Sequence, residues 1–381
     1  MVSSDDFDLH GIVGVRLVDA TPDDVARVRR QLGPIQQSLT RPPDITIRFA
    51  ERLETGPLTY VGVGDAGFDD QHFYVLRGRG STPAKARFPF DAVGGSLEIV
   101  CERAMPAVPH LLSCINMVAL GRGVLPLHAS AFEHAGRGIL VMGWAKGGKT
   151  ETLLASMERG ASYIGDEWVY LTEDRQMRGL PEPIRLWAWH LAQLPEVLAG
   201  RSLRDRTRLA TWRRLASAVE STANGRAGPG TGLARRAQPV LQRQAFLQIP
   251  PEELFGPDRV TLHGRLDVAM LMLSHEAPDI VIRRAGPQEL SGRMAASLAY
   301  ERAQFLDHYR QFRYAFPSRR SETVEAAVAR EGELLKALFD GRPAGVVSHP
   351  YPCDIAALGL AVAEAAEELD VREQGQEVVQ R

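Results

Sequence analysis

An α/β fold is what this sequence predicts, on three observations. Residues 137–142, Arg-Gly-Ile-Leu-Val-Met, have the length and apolar character of a buried strand; a glycine-rich loop follows, and Glu151–Arg159 has helical character up to a stop at Gly160. Downstream, short strand candidates at Ser162–Ile164, Trp168–Tyr170, Leu266–Ser274, Ile280–Arg283 and Gly345–His349 share the chain with long helical segments. Upstream, the first hundred residues mix short strand candidates with one capped helix, the pattern of a small α+β unit.

The chain has 381 residues, enough for two domains, and a formal net charge of −2, so no overall field draws it to nucleic acid or to an anionic membrane. Cys101, Cys114 and Cys353 are odd in number and lack metal-ligand or redox spacing, which suits a reducing cytosol. The acidic, polar opening Met1–Asp6 does not resemble a secretory signal, and the longest apolar stretches, around Ala107–Leu120 and Ile355–Ala363, are too short to cross a bilayer. A cytoplasmic protein is therefore expected.

Taken in order, Ile12–Leu17 and Ile45–Phe49 read as strands, and Pro22–Leu32 as a helix capped by Thr21. Tyr60–Val63, His72–Leu76 and Leu97–Cys101 add short strands, completing a support or recognition domain over residues 1–100. A helix over Pro106–Gly121 leads into a second domain, residues 101–365. There Leu125–Phe132 and Gly138–Met142 read as a hairpin joined by the turn 133–137. A hairpin feeding the glycine loop differs from the βαβ entry of a doubly wound nucleotide fold.

Two adjacent carboxylates, Asp166 and Glu167, interrupt the next strand, which is costly unless a cation or a proton donor faces them. Gly179–Leu186 returns as a strand after a proline turn. Residues 201–243 carry ten arginines against Asp205 and Glu220, and include the glycine tract 224–232; a solvated helix with a disordered loop and a basic flap closing on phosphate are both compatible with them. Pro287–Tyr309, Glu322–Phe339 and Asp354–Leu369 read as helices, and residues 366–381 close the chain as a polar tail.

The loop itself, Gly143-Trp144-Ala145-Lys146-Gly147-Gly148-Lys149-Thr150, fits G-x-x-x-x-G-K-[ST]. Glycines allow successive amides to converge on a polyphosphate, and the following helix offers its unsatisfied N-terminal N–H groups. Lys149 would place a point charge on the β- and γ-phosphates, and the Thr150 hydroxyl would sit on Mg2+. Chance supplies this pattern in roughly three per thousand chains of this composition. The chain has only four lysines, Lys85, Lys146, Lys149 and Lys336, and two lie in the loop, where arginine's planar fork does not substitute for a compact ammonium.

His128 precedes Gly143 by fifteen positions, and Asp166-Glu167 follows Lys149 by seventeen. With the loop, this constellation resembles the catalytic domain of HPr kinase/phosphorylase and the wider group of HPr-kinase-like kinases, distant relatives of phosphoenolpyruvate carboxykinase. The matching stretch is about Leu125–Leu171, continuing more faintly to about His349. The resemblance implies a P-loop domain with a mixed sheet that binds ATP and Mg2+ and phosphorylates a hydroxyl, usually serine, on a peptide, protein or small molecule. By that analogy Asp166 takes the hydroxyl proton, His128 stands beside the reacting phosphate, and Glu167 fills the second acidic position, facing the metal with Thr150. Glu151 either assists the metal or is simply an acid favoured at a helix start.

The family's second signature is not found: Met177-Arg178-Gly179-Leu180 echoes it but comes too soon and runs into Pro181-Glu182-Pro183. The resemblance therefore implies the broader group rather than an enzyme acting on HPr. A non-catalytic ATP-binding sensor or assembly protein, alone or as a homo-oligomer, would use the same loop. No Asn-Lys-x-Asp guanine motif occurs, which argues against a GTPase switch.

Overall fold

The computed structural model describes residues 5–62, 64–77, 83–211, 214 and 246–379, with side chains described to residue 369. Strands β1 (Asp5–Leu9), β2 (Val13–Val18), β3 (Ile45–Ala50), β4 (Thr59–Val61), β5 (Ala66–Phe68), β6 (Phe73–Arg77), β7 (Ala84–Arg87) and β8 (Leu97–Glu102) form one eight-stranded sheet in the order β1-β2-β3-β8-β7-β6-β5-β4. The sheet is mixed, with β2, β3 and β8 parallel and the remaining pairs antiparallel. Helix α1 (Pro22–Leu32) makes the crossover between β2 and β3. Its start is set by a reciprocal capping box between Thr21 and Asp24, with proline in the first turn, and it buries Val28 and Leu32.

Helix α2 spans Leu111–Gly121, starting later than Pro106 because Pro109 lacks a donor and restricts the residue before it. The expected strand 125–132 is two strands, β9 (Leu125–His128) and β10 (Ser130–His134), in different sheets. The break is at Ala129, whose amide leaves the ladder to bond the Glu167 carbonyl at 3.2 Å. Strand β11 (Arg137–Gly143) and helix α3 (Lys149–Glu158) flank the glycine loop. Next come β12 (Ser162–Gly165), β13 (Trp168–Leu171), β14 (Gln176–Gly179), β15 (Ile184–Trp187) and the short helices α4 (Ala188–Gln193) and α5 (Pro195–Ala199). The expected strand 179–186 is thus interrupted where Pro181 and Pro183 remove ladder donors.

Residues 203–211 are helical, whereas the glycine tract 224–232 lies outside the described residues. The chain continues through β16 (Phe246–Ile249), helix α6 (Pro251–Phe255), β17 (His263–Arg265), β18 (Val268–His275) and β19 (Val281–Arg284). Helices α7 (Pro287–Glu301) and α8 (Ala303–Ala315) replace one expected helix; they part at Arg302, whose guanidinium is drawn into a buried ion pair with Glu331. Helix α9 (Glu322–Phe339) and β20 (Ala344–Pro350) follow, and α10 (Ile355–Val379) carries helical backbone through most of the expected polar tail, whose glutamates and glutamines favour helix.

A six-stranded sheet, ordered β12-β10-β11-β18-β20-β19, is parallel at its centre and antiparallel at both sides. Alternation along β11 sends Ile139 and Val141 to one face, where they meet Leu153, Met157 and Leu358 of α3 and α10. Leu140 and Met142 point to the other face, against Leu125 of β9, Val169 of β13, Leu290 of α7 and Leu335 of α9. Strands β17, β14, β13 and β9 make a four-stranded antiparallel sheet, and β15 pairs with β16 alone. The molecule is therefore α/β, with mixed sheets. Among the described residues no helix is long and apolar enough to cross a membrane.

The core of the N-terminal sheet runs on into α2, α8 and α9. Phe312 of α8 is fully buried, with ring centroids 5.9 Å from Phe73, 5.7 Å from Phe90 and 5.6 Å from Phe316. Replacing so large a buried ring leaves a cavity among residues from both ends of the chain. Phe312→Ala is expected to cost about 3–5 kcal/mol, read as a lowered urea midpoint.

Candidate functional site

The glycine loop leaves the sheet at the end of β11, next to β18. A side chain at Gly143, where φ is +149°, would come within 2.8 Å of the Met272 carbonyl. Gly148 has φ +101°, and a Cβ there would overlap the imidazole of His349, at the end of β20. That imidazole donates from Nε2 to the Gly147 carbonyl at 2.9 Å, so a histidine supports the loop from beneath. On the opposite side, Ser297 of α7 donates to the Gly143 carbonyl at 3.2 Å. The backbone freedom of glycine is needed here because no side chain fits on either side.

Lys149 is the first residue of α3 and is buried; its Nζ donates to the carbonyls of Trp144 (3.0 Å) and Gly143 (3.3 Å), inside the curl of the loop. Burial lowers its pKa, against the pull of Glu167, Asp166, Glu301 and Glu151. Among the described residues no hydrogen bond takes the amides of Gly148, Lys149 and Thr150, which gather at the start of α3 as anion donors do.

The acidic pair sits where two sheets part. His128 of β9 lies opposite Trp168 of β13, while Ala131 of β10 lies opposite Gly165 of β12. Both strand pairs change sheets at this level, with Ala129 on one side and Asp166-Glu167 on the other. The corner points the two carboxylates different ways. Asp166 turns to the loop: Thr150 Oγ1 donates to its Oδ2 at 3.1 Å, and the Ser130 hydroxyl donates to its Oδ1. Glu167, held at φ +65°, turns to His128 and accepts from its Nε2 at 2.9 Å, while the Nδ1 of that ring donates to Glu301 of α7 at 2.6 Å.

The two carboxylates titrate in opposite directions. Burial pushes Asp166 up to about 6, with repulsion from Glu167 adding to it, against the hydroxyls of Ser130 and Thr150 and the charge of Lys149. Burial also works to raise Glu167, but the hydrogen bond and charge of His128, with Lys149 and Arg185, leave it below its ordinary value. Burial lowers His128, yet its two carboxylate partners outweigh this and raise it. The ring, with a carboxylate on each nitrogen, is held as an imidazolium and stacks on Trp168 at 5.9 Å.

The structure brings His128, Lys149, Thr150, Asp166 and Glu167 together. It gives Thr150 to Asp166, however, and Glu167 to His128, so Asp166 is the carboxylate next to the position expected for the metal. Among the described residues no three His, Cys, Asp or Glu side chains are arranged to hold a metal ion. One hydroxyl and one carboxylate still fit Mg2+, which takes most of its ligands from substrate phosphates and water. Glu151 is engaged elsewhere: it accepts from His190 Nε2 at 3.1 Å, and the Nδ1 of that ring accepts from the Trp187 amide at 3.1 Å. Of the loop's outer residues, Ala145 is half-buried, Lys146 has φ +63° with its Nζ 5.7 Å above the Trp187 ring, and Trp144 lies 4.8 Å from Tyr300, both rings about half exposed.

Sequence reasoning missed Ser130, His190, Ser297, Glu301 and His349. Ser130 carried a signal, being two residues from His128, where an extended chain returns to the same face. The others reach the loop and the corner from far along the chain, and only the fold brings them there. Neither a protein-family model nor a curated protein matches the chain.

Because the folded protein holds the Asp166 proton up to about pH 6 and the unfolded chain releases it near 3.8, its ionisation destabilises the fold as pH rises through that window. Asp166→Asn is therefore expected to be more stable than the parent at pH 8, by on the order of 2–3 kcal/mol, with the advantage vanishing towards pH 4. Thermal melts of both proteins across pH 4–8 check this.

Proposed function

We propose that the protein is a cytoplasmic ATP-dependent kinase with an HPr-kinase-like P-loop fold, transferring the γ-phosphate to an alcohol, usually serine, on a peptide, protein or small molecule. The observation that carries this reading is the Asp166 carboxylate, buried against Thr150 of the loop and raised in basicity. A phosphate cradle needs no such base merely to bind nucleotide; transfer to a hydroxyl does.

In this reading the Lys149 ammonium and the amides of Gly148, Lys149 and Thr150 fix the β- and γ-phosphates. Thr150 and Asp166 would hold Mg2+, which supplies charge neutralisation on the phosphates. Asp166 accepts the acceptor's hydroxyl proton as its oxygen bonds to the γ-phosphorus and the bond to the bridging oxygen breaks, leaving ADP. The His128 imidazolium places a positive charge beside the corner and, through Glu167 and Glu301, ties α7 to β9.

Incubation with γ-labelled ATP, Mg2+ and a fractionated lysate is expected to give ADP and one labelled acceptor. Lys149→Ala and Asp166→Asn should each lower the rate by about a hundredfold or more, with Asp166→Asn still binding ATP. Turnover at the parent rate in both variants would overturn the reading, and tight ATP binding with no labelled acceptor in any fraction would favour a nucleotide sensor.

A further inference from the structure

A third carboxylate reaches the corner from the connection between β14 and β15. Gly179 lies flush against β12, where a side chain would overlap the Ile164 carbonyl and sit 2.9 Å from Gly165. Its amide bonds the Leu262 carbonyl at 2.9 Å, the Leu180 amide bonds the Trp168 carbonyl at 3.3 Å, and His10 Nε2 donates to the Gly179 carbonyl at 2.7 Å. Pro181 packs on Gly33. The pinned segment brings Glu182 into the electrostatic field of Asp166 and Glu167.

Among the described residues Glu182 Oε1 is shut off from solvent and accepts no hydrogen bond. The Tyr163 hydroxyl, on the fully buried side chain of β12, has no side-chain partner among the described residues and shares the field of Asp166, Glu182 and Glu167. Burial raises the Glu182 carboxyl well above its ordinary value, and Glu167 and Asp166 add to this. Among the described residues the cation opposing that rise is Arg185, whose guanidinium stands over the rings of Phe246 (5.1 Å) and Trp187 (6.0 Å). His128 is committed to Glu167 and Glu301, and Lys149 to the loop.

Resting on the kinase reading, we propose that Glu182, lined by Tyr163, is the subsite for a primary ammonium on the acceptor, making that acceptor an amino alcohol. An incoming ammonium gives the orphaned oxygen its donor and sets a positive charge among carboxylates that repel one another. In a 1,2-amino alcohol the hydroxyl is two carbons from the nitrogen, so one short molecule with its ammonium at Glu182 would turn its hydroxyl towards Asp166, whose charge Glu182 feels.

The test measures binding of ethanolamine, L-serine and ethylene glycol by calorimetry, with and without Mg2+ and ADP, to the full chain and to Glu182→Gln and Tyr163→Phe. Ethanolamine and L-serine are expected to bind, ethylene glycol about a hundredfold more weakly. Glu182→Gln should remove that preference while binding ADP as the parent does, and Tyr163→Phe should weaken the amines only. Equal binding of ethanolamine and ethylene glycol, unchanged amine binding in Glu182→Gln, or no amine binding beside normal ADP binding would each overturn the proposal. A second Mg2+ lost in Glu182→Gln without amine binding would overturn it in favour of an inorganic cation. Amine selectivity without ADP binding would sustain the subsite and defeat the nucleotide reading.

Discussion

The amide of Ala129 bonding the carbonyl of Glu167 is the contact on which the site depends. A chain that stayed in one sheet from Leu125 to Phe132 would keep the Asp166-Glu167 pair in an ordinary ladder, one side chain on each face. Because both strand pairs change sheets at that level, the two carboxylates diverge inside the protein, one towards the loop and one towards His128. The corner converts a sequence neighbourhood into two electrostatic environments.

Those environments divide the labour. Asp166 is buried and repelled by Glu167, so its proton affinity rises in spite of its two hydroxyl donors; Glu167 faces an imidazolium, so its proton affinity falls. Two adjacent carboxylates whose pKa values are pushed apart are what acid–base chemistry at neutral pH requires. Lys149 and His128 balance the buried negative charge without quenching the basicity of Asp166, because Lys149 is spent on the loop and His128 on two other carboxylates. The site is organised by which cation is already occupied.

Local signals were legible. Pro22–Leu32 and Glu322–Phe339 are helices with the expected limits, since a cap or a polar breaker marks each end. The glycine loop stood out because its residue types are dictated by close backbone approach. The strands β1, β5 and β7 were not legible: they are short and built largely of aspartate, glycine, alanine and lysine, which are poor strand formers, and pairing alone defines them. The split at Ala129 was invisible because it comes from one hydrogen bond to a residue in another strand, and the splits at Arg302 and Pro181–Pro183 reflect a distant ion pair and missing donors. At the site, the motif residues could be named in advance, but their partners could not: pairing Thr150 with Asp166 rather than Glu167 is a matter of corner geometry, and His349, Glu301 and Ser297 come from elements that only tertiary packing brings near.

The aromatic core shared by the N-terminal sheet and α2, α8 and α9 bears on how the chain is made. Phe305 and Phe312 are laid down some two hundred residues after the rings of Phe73 and Phe90 they cover. While ribosomes are still adding the middle of the chain, the early sheet has an oily face with nothing yet to close it. That interval, rather than the finished molecule, is when the apolar surface of the sheet is most open to aggregation.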